Sequence, residues 1–180
     1  PLDRWYKIGN VITVVNAKLE PELSEMSEYL LASEAAHAGA VVLSRAEEAT
    51  EEEMQATIMH LNRALEKVHC GRRLDQEIIR KGSLSLTDAD FAKIQQCGYV
   101  QENYQKMDLT EENSFDTVYV MERKMTVEEI LAGMNKIFAD PSCGEVFRIK
   151  GFMQEENGSW IEVNATRHEL QKQPIKEGQE

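Results

Sequence analysis

These 180 residues contain no glycine-rich phosphate loop, no paired-cysteine motif and no long apolar run. Glycine occurs 10 times, and no Gly-Lys dipeptide is present. A phosphate cradle needs closely spaced glycines, then Lys and Ser or Thr for charge and Mg²⁺. No G-x-S-x-G elbow is found, so that route to an activated serine is excluded. The histidines, His37, His60, His69 and His168, show neither the His-Glu-x-x-His nor the His-x-x-x-His spacing of helical zinc sites. A complete catalytic apparatus is therefore missing from this stretch. The three cysteines, Cys70, Cys97 and Cys143, are odd in number and widely spaced. They make no disulfide framework, and a reducing cytoplasm is the expected location. No run of 18 apolar residues occurs, so no membrane-spanning helix is predicted. No secretory signal is visible. Basic residues are scarce: 20 Lys and Arg against 32 Asp and Glu, a net charge of −12. That balance argues against nucleic acid or an anionic membrane as partner, since both select basic surfaces.

What is present reads as two modules. Hydrophobic residues at 42% and charged residues at 29% are ordinary globular values. Val11–Val15 is an almost uninterrupted β-branched run, typical of a strand buried on both faces. Residues 22–38 read as a helix with Leu23, Met26, Leu30 and Ala36 on one side, closed by Gly39 as a C-terminal cap. Ala40–Leu43 is a second buried-type strand. Thr50 and Glu53 form a capping box, and Met54, Ile58, Leu61, Leu65 and Val68 follow as a helical stripe. Strand, helix, strand, helix predicts a parallel α/β layer. Residues 69–86 fit either a short helix or a strand. Thr87 and Asp90 cap a helix carrying Phe91, Ile94 and Cys97, closed by Gly98. The polar residues 99–114 read as a linker.

Beyond the linker the pattern changes. Phe115–Met121 reads as a strand, and Thr126 with Glu129 as a capping box opening a helix that Pro141 stops. Glu145–Gln154 and Ser159–Thr166 are strands joined around Asn157-Gly158, a strong hairpin signal. The second module is thus expected as β-α-β-β. The expected domains are 1–98, a linker 99–114, and 115–180.

Several residues are candidates for chemistry. Leu43-Ser44-Arg45-Ala46-Glu47 delivers a small polar residue, a long cation and an acid to a strand's C-terminal end, the edge where open α/β sheets bind ligands. A carboxylate there can accept two N–H bonds from a guanine edge while the cation's stem covers the base. The alternative is an ordinary strand–turn. His69 and Cys70 are adjacent and are the candidate metal ligands, with Cys97 as the third member of a metal-buffering reading. Against this, the ligand count falls short, and Cys70 suits a small buried filler. Glu34 and His37 share a helix face, although His37 also suits an ordinary helix end. Arg148 and Lys150 alternate with Phe147 and Ile149, the pattern of a solvated strand face, and Trp160 reads as a packing residue.

Several stretches together carry a resemblance. Ile12-Thr-Val-Val-Asn-Ala17, Glu34-Ala-Ala-His-Ala38 and Val41-Val-Leu-Ser-Arg-Ala-Glu47 resemble the second half of the GTPase domain of CobW-type metallochaperone GTPases. Phe147-Arg-Ile-Lys-Gly-Phe152, Trp160 to Thr166 and Gly178-Gln179 resemble that family's C-terminal module, where Arg-x-Lys-Gly starts a hairpin. Asn16 stands where the family has Asp, Arg45 where it has Lys, and Glu47 where Asp is commoner. The resemblance implies α/β architecture: a partial P-loop-type parallel layer followed by a small α+β module. It implies guanine recognition by Ser44, Arg45 and Glu47. In the parent protein it implies GTP with Mg²⁺, and delivery of zinc or cobalt to a client protein, in cobalamin-synthesis-related chemistry. The family's phosphate loop and Cys-x-Cys-Cys motif lie upstream of the region represented here. The chain starts at Pro1 and stops at Glu180, which reads as an excised piece. The piece alone is expected to hydrolyse no GTP and to hold no tightly bound cofactor. The other reading is a stand-alone, non-enzymatic protein-interaction module. A half nucleotide domain leaves one sheet edge without a neighbour, so a homodimer, or an edge covered by another segment, is expected.

Overall fold

The computed structural model describes residues 5, 7–108, 116–121, 125–155 and 157–176. The chain divides into two compact units, 1–115 and 116–180. The first is built on a parallel three-stranded sheet, the second on an antiparallel three-stranded sheet, so the molecule is mixed α/β.

In the first unit β1 (Ile12–Asn16), β2 (Ala40–Ser44) and β3 (Ile78–Ile79) lie side by side in that order. The register runs from Ile12 opposite Ala40 to Asn16 opposite Ser44. The helices α1 (Glu25–Ala36) and α2 (Glu51–Lys67) pack against one another, and their buried side chains share one core with those of the sheet. The α2 stripe Met54, Ile58, Leu61, Leu65 and Val68 is buried throughout. Its capping box is formed: Thr50 Oγ1 accepts from Glu53 N at 3.2 Å, and Glu53 Oε2 from Thr50 N at 2.8 Å. Local chemistry alone starts this helix, and the apolar stripe then fixes its face.

Two sequence expectations change, and one open alternative is resolved. β1 is not buried on both faces. Thr13 and Val15 are buried, but Ile12 is 43% and Val14 62% exposed, because only one face of β1 packs on the core. The ambiguous region 69–86 supplies the two-residue strand β3, parallel to β2. Gly39 is not the left-handed cap of α1, which ends at Ala36 with His37 as its C-cap. Its role is close approach. A Cβ there would overlap the carbonyl oxygens of Cys97 and Gly98 and lie 2.7 Å from the Cys97 carbonyl carbon. Those carbonyls belong to the segment after α3 (Asp88–Gln95), which crosses the start of the sheet: Val11 N donates to Gly98 O at 2.8 Å. The polar stretch beyond stays on this unit as far as Met107, which packs on its core. Val100 N donates to His37 O at 3.1 Å, Gln105 N to Val68 O at 2.7 Å, and the Tyr104 ring packs on Tyr29 at 6.3 Å.

In the second unit α4 (Val127–Ala139) opens with the Thr126–Glu129 capping box. It packs Ile130, Leu131, Met134 and Phe138 against Met153, Ile161, Val163 and Ala165 of the sheet. That sheet is β4 (Ile149–Gln154), β5 (Trp160–Ala165) and β6 (Leu170–Ile175), in sequence order and antiparallel. Gly158, at φ 84°, closes the β4–β5 turn. The β-α-β-β expectation is corrected at both ends. Phe115 and the Gly178-Gln179 pair lie outside the described residues. Residues 116–121 join no ladder among the described residues, whereas β6, unforeseen, pairs along its length with β5.

Gly39→Ala is expected to destabilise the first unit by about 1–3 kcal/mol through overpacking. Gly71→Ala, with open space around it, should stay within about 0.5 kcal/mol. Urea unfolding of both variants checks this, and equal stabilities would refute it. A second expectation concerns acid. Arg72 Nη1 donates to the last α1 carbonyls, Ala35 O and Ala36 O, both at 3.0 Å, while its Nη2 donates to Glu77 Oε1 at 2.9 Å. Burial pushes the Glu77 carboxyl up, but the Glu77 and Asp75 backbone donors and Arg72 outweigh it, holding it below the ordinary 4.5. A depressed folded value means stability that is present above the unfolded value and lost as pH falls through the folded one. Between pH 5 and 3, Glu77→Gln should therefore lose stability less steeply than the unaltered chain, as read by denaturant titration at each pH.

Candidate functional site

The parallel register sets the C-terminal ends of β1 and β2 beside one another. Ala17 N donates to Ser44 O at 2.9 Å, and Thr57 Oγ1 from α2 donates to Ala17 O at 2.8 Å. Asn16 Oδ1 turns back to accept from Lys18 N at 3.0 Å. The two strand ends are thus fixed before any ligand is considered.

The three predicted residues lie at the end of β2 and in the turn that leaves it, but their polar groups have different fates. Ser44 Oγ donates to Val15 O at 3.2 Å and ties β2 to β1. Arg45 takes the left-handed conformation, φ 59°, which folds the chain sharply into the one-turn helix Ala46–Glu48. Its guanidinium is held by Glu48: Nε donates to Oε2 at 3.0 Å, and Nη2 joins the same oxygen. Ala46 is buried and anchors the turn. Glu47 points outward, exposed, and among the described residues no donor meets its carboxylate. Its neighbour is the backbone of Gly82, beyond β3. The turn therefore presents one free acceptor pair at the carboxyl edge of a parallel sheet, the place where such sheets bind ligands.

The other candidates are dispersed. His69 lies just past α2 in the left-handed region, φ 55°, and Cys70 is buried beside it. Cys97 is remote in the fold, its Sγ near Val11 O at 3.8 Å. Among the described residues no three His, Cys, Asp or Glu side chains converge as a metal site. His37 Nδ1 donates to Val100 O at 3.0 Å and holds the chain after α3 rather than pairing with Glu34. In the second unit Arg148 Nε donates to Asn164 Oδ1 at 2.7 Å. Lys150 pairs with Glu162 at 3.1 Å and lies 4.7 Å from the centre of the Phe152 ring.

Two features escaped the sequence reading. Tyr104 is wedged against Tyr29 and His37, and burial, then Tyr29, pushes its phenol up. Glu28 and His60 form a buried pair across α1 and α2, with Nε2 donating to Oε1 at 2.8 Å. Lys67 Nζ lies 3.2 Å from the same oxygen, and among the described residues Glu28 Oε2 meets no donor. The only sequence signal for that pair is a His inside the α2 apolar face.

Comparison with family models, curated proteins and solved structures finds no match. The chemistry of the site rests on its own geometry.

Because the pair is buried, His60→Ala leaves Glu28 with Lys67 alone. The expected loss is about 3 kcal/mol, the low end for breaking a buried pair. Denaturant unfolding reads it, and a loss below about 1 kcal/mol would show that the pair contributes little.

Proposed function

We propose that this chain is the guanine-reading portion of a CobW-like GTP-binding metallochaperone, joined to that family's C-terminal module. One observation carries the reading: a Glu47 carboxylate that meets no donor among the described residues follows Ser44 and Arg45 at the carboxyl end of the central parallel strand. A carboxylate in that place accepts from the N1–H and 2-amino groups of guanine. The Arg45 stem, fixed by Glu48, covers a base face. Adenine offers neither donor pair in that arrangement and is discriminated against. The Arg148-Ile-Lys-Gly151 sequence entering the β4–β5 hairpin supports the second half of the reading.

The sequence holds no phosphate loop, so phosphates and Mg²⁺ belong to residues outside these 180, and hydrolysis is not expected of them alone. The cargo, zinc or cobalt for a cytoplasmic client, rests on the family resemblance. Ligands for that cargo are not assigned to His69 and Cys70, which stand without a third partner among the described residues. A second reading, a stand-alone protein-interaction module, is favoured by one observation: the outer face of β1, with Ile12 and Val14, is uncovered.

Amide-shift titrations with GDP, ADP and XDP test the first reading. GDP should move the amides of residues 44–48 at concentrations where ADP does not. Glu47→Gln should shift preference from GDP to XDP by about tenfold, since a carboxamide can donate to the xanthine 2-oxo group and a charged hydrogen bond is worth at least that factor. Equal responses to GDP and ADP would remove guanine reading and leave the interaction module.

A further inference from the structure

We infer that Gly82 is a positioning residue for Glu47, and that the space left by its missing side chain sets base selectivity at this turn. The inference rests on the guanine reading above and adds a residue that no motif in the turn contains.

Gly82 does not need to be glycine for its backbone. Its φ of −59° and ψ of 152° are open to any residue. Space is what requires it. A Cβ at residue 82 would lie 2.7 Å from Glu47 Oε2, 2.9 Å from Glu47 Cβ and 3.3 Å from its Cδ. The carboxylate oxygen can rotate away from such a clash, but the Cβ cannot. It is fixed to a turn held by the left-handed Arg45 and the buried Ala46. The loop carrying Gly82 is itself pinned by the two residues just before it. Arg80 Nη1 donates to Glu51 Oε1 at 3.1 Å and Gln55 Oε1 at 3.3 Å. Lys81 Nζ donates to Asp90 Oδ1 at 2.9 Å and Oδ2 at 2.6 Å.

Glu47 has several rotatable bonds, and among the described residues no hydrogen bond orients its carboxylate. Packing against Gly82 is then what limits where that carboxylate sits. Its two acceptor bonds to a base edge need heavy-atom distances of roughly 2.7–3.2 Å, so a displacement of about 1 Å breaks them.

The test is an amide-shift titration of the full 180-residue chain with GDP and with IDP, whose base lacks the 2-amino group. The readout is the ratio of the two affinities. The unaltered chain should prefer GDP about tenfold. Gly82→Ala should bring the ratio close to one, as Glu47→Ala does, and the double variant should show no further change, because coupled residues are not additive. Gly71→Ala, surrounded by open space, should keep the tenfold preference. If Gly82→Ala fails to fold, Lys81→Ala releases one pin of the loop at an exposed ion pair and should lower the ratio several-fold. An unchanged ratio in folded Gly82→Ala, or in Lys81→Ala where that variant stands in, overturns the inference while leaving guanine reading intact. A chain that binds ADP as well as GDP overturns both.

Discussion

The parallel pairing of β1 with β2 is the constraint on which the first unit depends. Side chains alternate with a period of two, so one residue of slip would turn Thr13 and Val15 out of the core and Ile12 and Val14 into it. The register that buries the former pair also aligns Asn16 with Ser44. Parallel strands end at the same edge, so both chains turn there, and α2 supplies Thr57 to hold the first of those turns. Glu47 stands outward because Ala46 is pulled inward and Arg45 has already bent the chain. The chemistry of the turn follows from the sheet rather than from contacts among its own polar groups.

Local signals in the sequence were legible. The Thr50–Glu53, Thr87–Asp90 and Thr126–Glu129 boxes each need only four consecutive residues, and all three form. The α2 stripe and the Asn157-Gly158 turn are legible for the same reason. Features that depend on distant chain were not. A β-branched run such as Val11–Val15 reads the same whether one face is covered or two. Gly39 is required by carbonyls nearly 60 residues on, which nothing near it announces. Residues 116–121 are rich in strand formers, Val118, Tyr119 and Val120 among them, yet a strand needs a partner. β6 reads Leu-Gln-Lys-Gln-Pro-Ile, polar and proline-bearing, and is a strand because β5 offers its edge.

The candidate site divides along the same line. That Ser44, Arg45 and Glu47 follow a strand was legible from the run Val41–Leu43. That Ser44 and Arg45 turn polar groups to Val15 and Glu48, while Glu47 meets no donor among the described residues, was not. Nor was Gly82, which lies 35 residues beyond Glu47 and carries no side chain to mark it.

The edges of the two sheets argue in the same direction as the site. Exposed edges in natural sheets are blunted by charge and proline, which discourage a further strand from adding. β6 carries both, Lys172 and Pro174. β1 carries neither, and from Ile8 to Ala17 the sequence has no charged residue and no proline in a chain that is 29% charged. Its outward face adds two exposed β-branched side chains, Ile12 and Val14. An edge of that composition suits a sheet that continues, and β1 ends beside the turn that presents Glu47. On the proposed guanine reading the two observations fit one account: the turn presenting Glu47 lies on one side of β1, and on its other side is a strand edge without charge or proline. An isolated interaction module fits the composition of that edge but gives no reason for a carboxylate that, among the described residues, meets no donor at the carboxyl end of the neighbouring strand.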